Sequence, residues 1–198
     1  MSREGERQLD AFPVDVRELL ERSVANLYSH LVTRPTGRAV RMAIERQLDQ
    51  LSGPALSLVD LSSVSVLDYS CADEVVAKLL TRFAREDVAH ETFFVFRGIK
   101  VHHREPIEAV LERHGLAAVA ETSPERFELL GMTDSEHERT LWNRLERSGT
   151  VPADQVGRLV EGGELREGLE RLLSRRLLFR HPLRGDLHAL STLIHPPR

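Results

Sequence analysis

At 198 residues, with 41% hydrophobic and 29% charged side chains, the chain is long enough to bury a real core as one large domain or two small ones. Its net charge of -4 argues against a protein that coats nucleic acid non-specifically, and its single cysteine, Cys71, excludes an internal disulfide and a structural zinc held by cysteine alone. With no apolar run of about 18 residues and no charged-then-apolar leader, neither a membrane span nor a signal peptide is expected, and the chain reads as cytoplasmic with no membrane partner.

Residues 1–13 carry no hydrophobic period and read as a mobile tail. From Val14 the pattern turns helical, with Val16, Leu19, Leu20, Val24 and Leu27 at three- and four-residue steps behind Asp15, which predicts a helix to about His30. Thr33 to Gly37 should break it, because Pro35 restricts its neighbour and Gly37 is permissive. A second helix follows, with Val40, Ile44, Leu48 and Leu51 on one stripe. Ala55 to Leu61 is a continuous apolar run, as expected of a strand covered on both faces. After the polar stretch SSVSVLDYS, Ser70 precedes Ala72, Val75, Val76, Leu79, Leu80 and Phe83. This stripe predicts an amphipathic helix, with Ser70 and Asp73 at capping-box spacing.

Thr92 to Phe96 predicts another buried strand. A short helix is expected from Pro106 to Gly115, followed by a pair of strands at Leu116 to Ala120 and Phe127 to Leu130. This alternation is that of a layered α/β domain over 14–131. Beyond Gly131 the pattern changes. Leu141, Trp142 and Leu145 mark one helix, Val156, Leu159 and Val160 a second, and Leu165, Leu169, Leu172 and Leu173 a third. Leu177 to Arg180 and Leu187 to Leu190 flank a turn as a hairpin would. Three helices and a terminal hairpin over 136–196 are the ground plan of a winged helix.

Two resemblances rest on particular residues. The stretch LVDLSSVSVLDYSCADEVVAKLL resembles the STAS domains typified by bacterial anti-sigma factor antagonists, and FFVFRGIKVHHREPIEAVLERHGLAAV is similar to a later strand, loop, helix and strand of that family. The family carries a serine, often within Asp-Ser-Ser-Gly, at the start of a helix, where a partner kinase can phosphorylate it. Asp68 and Ser70 match the motif, whereas Tyr69 and Cys71 replace its first serine and its glycine. The opening Ser70 to Glu74, SCADE, is closer to a STAS-like branch of unassigned function. The last third, GGELREGLERLLSRRLLFRHPLRGDLHAL, is similar to winged-helix domains. Together these imply a STAS-like layered sheet and helices followed by a three-helix winged helix.

Candidate site residues follow. Ser70, with Asp68, Tyr69, Asp73 and Glu74, is a candidate for phosphorylation or partner binding, against the plainer reading of a helix cap. A phosphate there would add about -1.5 to -2 charges beside carboxylates and should release a partner. Asp60, Asp68, Asp73 and Glu74 either bind Mg²⁺ or keep a loop solvated. Arg34, Thr36, Arg38 and Arg41, around a helix start expected at Thr36, either hold an anion such as a nucleotide phosphate or form a solvated face. His102, His103 and His114 lack a spacing that would bring them to one metal. Arg166, Arg171, Arg175 and Arg176 on the third helix, with Arg180 and Arg184 in the wing, are candidates to meet DNA phosphates, although Glu164, Glu167 and Glu170 interleave with them. No P-loop, GxSxG, HExxH or GxGxxG motif is present.

The resulting expectation is a non-enzymatic bacterial signalling or transcription regulator without a cofactor. By resemblance its STAS-like domain binds a histidine-kinase-like ATPase or an anti-sigma factor, and its winged helix relays the state to DNA or protein, with a homodimer as one arrangement. The alternatives are a DNA-binding transcription factor with a ligand-sensing N-terminal domain, and an enzyme using Ser70 or Cys71, which needs a histidine within about 3 Å.

Overall fold

The computed structural model describes residues 10–15, 30–51, 53–84 and 91–194. Apolar runs too short for helices form the middle strands of a five-stranded mixed sheet, as expected of strands covered on both faces. Its order is β1 (Asp10–Asp15), β3 (Ala55–Asp60), β5 (Thr92–Arg97), β6 (Ala117–Ser123) and β7 (Arg126–Gly131). The first four strands are parallel, and β7 returns antiparallel to β6. The short β2 (His30–Leu31) pairs with β4 (Val66–Leu67) beside the sheet.

Strand β1 corrects two expectations. The sequence pattern predicts a tail through residue 13 and a helix from Val14, yet Asp10–Asp15 lies in register with Ala55–Asp60. Pro13, which cannot donate to a ladder, is tolerated because β1 is an outer strand. The rest of that expected helix, residues 16–29, lies outside the described residues.

Helix α1 (Arg34–Leu48) begins earlier than expected, at Arg34 rather than Thr36. Thr33 caps it by accepting the Thr36 N–H at 3.4 Å, and Pro35 stands in the first turn, where its missing donor has no intrahelical acceptor to serve. Helix α2 spans residues 69–83 and contains a π-turn at Asp73–Lys78. Helix α3 (Val101–Arg113) carries Pro106 in its interior instead of at its start. Leaving one N–H bond unmade there is less costly than giving up the whole preceding turn, in which His103 is buried.

Side-chain alternation with a period of two sends β3, β5, β6 and β7 to two cores. Val59, Phe94, Phe96, Ala118, Ala120 and Leu130 join α1, α2 and α3 in one cluster. Leu56, Leu58, Phe93, Val95, Val119 and Leu129 point the other way, into a cluster shared with the last third of the chain.

That last third consists of α4 (Glu136–Ser148), β8 (Thr150–Val151), α5 (Ala153–Leu159), α6 (Gly163–Ser174), β9 (Leu178–Arg180), β10 (Leu187–Ala189) and α7 (Leu190–Ile194). The expected hairpin is present, with Leu187 opposite Arg180 and Ala189 opposite Leu178, and β8 adds a third strand beside β10. Trp142, fully buried, donates its indole N–H to the Leu177 carbonyl at 3.3 Å. Phe93 of the sheet meets Phe179 edge-on, with ring centroids 5.6 Å apart. The C-terminal segment therefore covers the sheet face that α1, α2 and α3 leave open.

Candidate functional site: the rim around Ser70

The turn after β3 is built by its own polar groups. Asp60 accepts the Ser62 N–H at 2.8 Å and the Arg97 guanidinium at 3.0 Å. Gly98, at φ +67°, lies so close to the Ser62 backbone that a Cβ would approach within 2.4 Å. Asp68 then stands in extended backbone, and its carboxylate accepts the Cys71 N–H at 2.8 Å. The cap of α2 is thus Asp68 and the helix begins at Tyr69, which corrects the expected Ser70 cap and its box with Asp73. Asp68 wins because its carboxylate adds charge to a hydrogen bond at the positive end of the helix. The Ser70 hydroxyl, half-buried, donates to Asp68 at 2.9 Å.

The elements that meet near this hydroxyl carry three exposed side chains with large apolar surfaces. Val66 is 41% exposed, Tyr69 50% and Val101 93%. Tyr69 donates its phenol to Glu105 at 2.7 Å, which pushes the phenol pKa up. Glu105 lies one turn along α3 from Val101, on the same face. Lys100 donates to the Val64 carbonyl at 2.8 Å, and His102 lies 2.7 Å from the Ser65 carbonyl. These contacts join β4 and the starts of α2 and α3 into one rim beyond the C-terminal end of β3.

The two other N-terminal candidate groups meet each other. Arg34 donates to Asp73 at 2.7 Å and to Glu74 at 3.1 Å, and Arg41 to Glu74 at 3.1 Å. Lys78 pairs with Glu74, Arg41 with Glu45, and Arg82 with Asp49. His114, from the end of α3, lies 2.7 Å from Asp73. Burial pushes the Asp73 carboxyl up, but hydrogen bonds from Arg34 and His114 and the charge of Lys78 outweigh it and hold the pKa at about 2. The guanidinium groups of Arg34 and Arg41 are directed at carboxylates of α2; Arg38 is exposed, and Thr36 hydrogen-bonds Thr33.

Helix α1 can come this near because Gly37 has no side chain. A Cβ there would meet the Cys71 Cα at 2.9 Å. Cys71 is fully buried and donates its thiol to the Thr33 carbonyl. Burial, reinforced by the charge of Asp68, pushes the thiol up to about 12, so it stays protonated. The three histidines diverge, since His103 is buried and held down to about 4, chiefly by burial, while His102 and His114 bind different partners.

The C-terminal arginines do not share one face. Arg175 donates to the Met132 carbonyl at 3.0 Å and to Asp134 at 2.7 Å, toward the sheet, and Arg171 lies 3.7 Å from the same carboxylate. Arg176 lines a cleft against the sheet. Arg180 approaches Glu170 at 3.4 Å, Arg184 approaches Asp186 at 3.3 Å, and Arg166 is exposed.

Sequence reasoning missed Val66, Val101 and Glu105 on the rim, and Lys78 and His114 in the ionic lattice. The spacing of Glu74 and Lys78, four residues apart, was a readable signal. The pairing of Tyr69 with Glu105 joins residues 36 apart and left no local trace. No family model, curated protein or solved structure matches the chain.

Proposed function

We propose that the chain is a non-enzymatic bacterial signalling regulator whose STAS-like part binds a protein partner at the rim around Ser70, and whose winged-helix-like C-terminal part passes the state on. The observation that carries the reading is the exposure of Val66, Tyr69 and Val101, on the three elements that meet at the rim to which Ser70 belongs. Apolar surface exposed in this way is what a docking site offers. A histidine-kinase-like ATPase or an anti-sigma factor is the partner the resemblance suggests. Phosphate on Ser70 would be forced against Asp68, whose carboxylate already accepts that hydroxyl. Repulsion would then loosen the first turn of α2 and eject the partner. Support for the non-enzymatic part comes from Ser70, whose hydroxyl is held by a carboxylate, and from the buried, protonated Cys71.

A photo-crosslinking amino acid placed at Val101 and, separately, at the exposed Leu183 tests the reading in the producing cell. A single partner captured through position 101 and not through 183, lost in Tyr69→Ala and Ser70→Glu, is the expected result. Equal capture at both positions would refute it. The second reading, a DNA-binding factor, draws on the exposed Arg166 and Arg180. It predicts DNA affinity that falls steeply with salt, and more gently in the double variant Arg166→Ala/Arg180→Ala.

A further inference from the structure

The hairpin of the C-terminal segment is closed by one imidazole. His181, 8% exposed, follows β9, and its Nδ1 accepts the N–H groups of Leu183 at 3.3 Å and Arg184 at 3.2 Å. The backbone adds two bonds, from the His181 N–H to the Asp186 carbonyl at 2.9 Å and from the Gly185 N–H to the His181 carbonyl at 2.8 Å. Gly185 takes φ +76°, where a side chain would be strained. Pro182, Leu183 and Arg184 are left outside, Leu183 at 80% exposure.

A ring nitrogen accepts only while it carries no proton. With one, Nδ1 would become a third donor facing two others, and the N–H groups of Leu183 and Arg184 would lose their acceptor. Asp186 is the carboxylate of this turn, and it is already committed to the Ala153 N–H at 3.1 Å and to Arg184 at 3.3 Å. Arg180 and Glu170 of α6 approach each other, while β8 and α5 bring Thr150 and Ala153, which do not titrate. On β10, burial pushes the His188 pKa down, with Arg184 and His181 adding to the shift and Asp186 opposing it. A histidine that the fold keeps neutral stabilises it above the ordinary value of about 6.5, and that support fades as pH falls below it. Phe179 packs against both rings, with centroids 6.3 Å from His181 and 5.9 Å from His188.

We propose that the turn at 181–186 is an acid-sensitive switch, in which protonation of His181 breaks its bonds to Leu183 and Arg184 and opens the tip of the hairpin. The proton comes from solvent and returns to it, so no other reactant is needed. The change is local. Strands β9 and β10 stay paired and Phe179 stays on Phe93, while Leu183 and Arg184, which the tip presents to solvent, change place. The hairpin thus has one shape at neutral pH and another in acid, whatever the rim around Ser70 binds.

NMR of the whole chain from pH 8 to pH 5 tests the proposal, with the ring signals of His181 and His188 followed beside the backbone amides. As the His181 ring takes its proton, the Leu183 and Arg184 amides should lose at least tenfold in protection, after correction for the pH dependence of exchange itself. Trp142 should keep its native fluorescence. His181→Asn puts at Nδ1 a carboxamide oxygen that accepts without titrating, so its turn should stay closed at pH 5. His181→Phe removes the acceptor, and its turn should be open already at pH 8. His188→Asn should leave the acid opening in place. A His181 ring still neutral at pH 5, unchanged protection while it titrates, equal loss in His181→Asn, a closed turn in His181→Phe, or no opening in His188→Asn would overturn the proposal. So would loss of the amides in step with Trp142 fluorescence, which marks global unfolding. Failure of partner capture at the rim would leave these results unchanged, so the two readings fail separately.

Discussion

The Arg34 guanidinium reaches across from the first turn of α1 to donate to Asp73 on α2 at 2.7 Å. The anion that Arg34 and Arg41 of α1 receive is thereby supplied from within the chain. Asp73 is 7% exposed and also faces His114 and Lys78, so it is the negative centre on which three elements converge.

Asp73→Asn should therefore destabilise the protein by about 1–3 kcal/mol at pH 7, because Arg34 and His114 lose their charged acceptor. The pH dependence follows from the sign of the shift. A carboxylate whose folded pKa is depressed to about 2 stabilises the fold above its unfolded value near 4, and that contribution fades as pH falls from there toward 2. Urea unfolding between pH 7 and pH 2 should show a loss of about 2 kcal/mol in the wild type that the variant lacks.

Gly37→Ala should also destabilise, against the ordinary helix preference for alanine of about 1 kcal/mol. The added carbon meets the Cys71 Cα at 2.9 Å, and backbone cannot swing aside as a flexible side chain would. A net loss of about 1–3 kcal/mol in urea is expected, with Gly157→Ala, where nothing stands within 4 Å, as the helical control.

Cys71 should be inert in the native state. With its thiol raised to about 12 and fully buried, a disulfide reagent at pH 8 should label it only after denaturant is added. Labelling in native buffer at the rate seen in denaturant would contradict the buried geometry.

Asp68→Ala should cost about 1 kcal/mol, the worth of a helix cap, and more than Ser70→Ala. Thermal midpoints of the two variants measured side by side decide which residue closes the helix.

Phe93→Ala should cost about 3 kcal/mol and shift the unfolding of both layers together. Phe93 is 3% exposed and its ring abuts Phe179, so far-UV ellipticity and Trp142 fluorescence should lose their midpoints in step. Separate shifts would show that the cluster is not cooperative.

What the chain revealed beforehand was local. Val75, Val76, Leu79 and Phe83 announced α2 through their spacing, and the runs at Ala55 and Thr92 announced strands because both of their faces are covered. Pro35 and Pro106 misled because proline is tolerated both inside a first turn and, at some cost, within a helix held by packing. The cap was misassigned since serine and aspartate compete for one backbone N–H, and only geometry shows which reaches Cys71. Within the rim, Ser70, Asp68 and Tyr69 were legible as a group. Val101 and Glu105 were not, because the fold alone carries the start of α3 to that loop. Asp73 and Glu74 read as exposed acidic residues until α1 and the end of α3 were brought against them.

Strands β3 and β5 place alternate residues under two different sets of helices, and this ties the fate of the two segments together in inheritance as well as in folding. A recombination event that moved residues 10–131 into another gene would strand Leu56, Leu58, Phe93 and Val95 in water, and the recipient would have to provide a lid of matching shape. The halves are accordingly poor currency for domain shuffling, and relatives should carry both or neither.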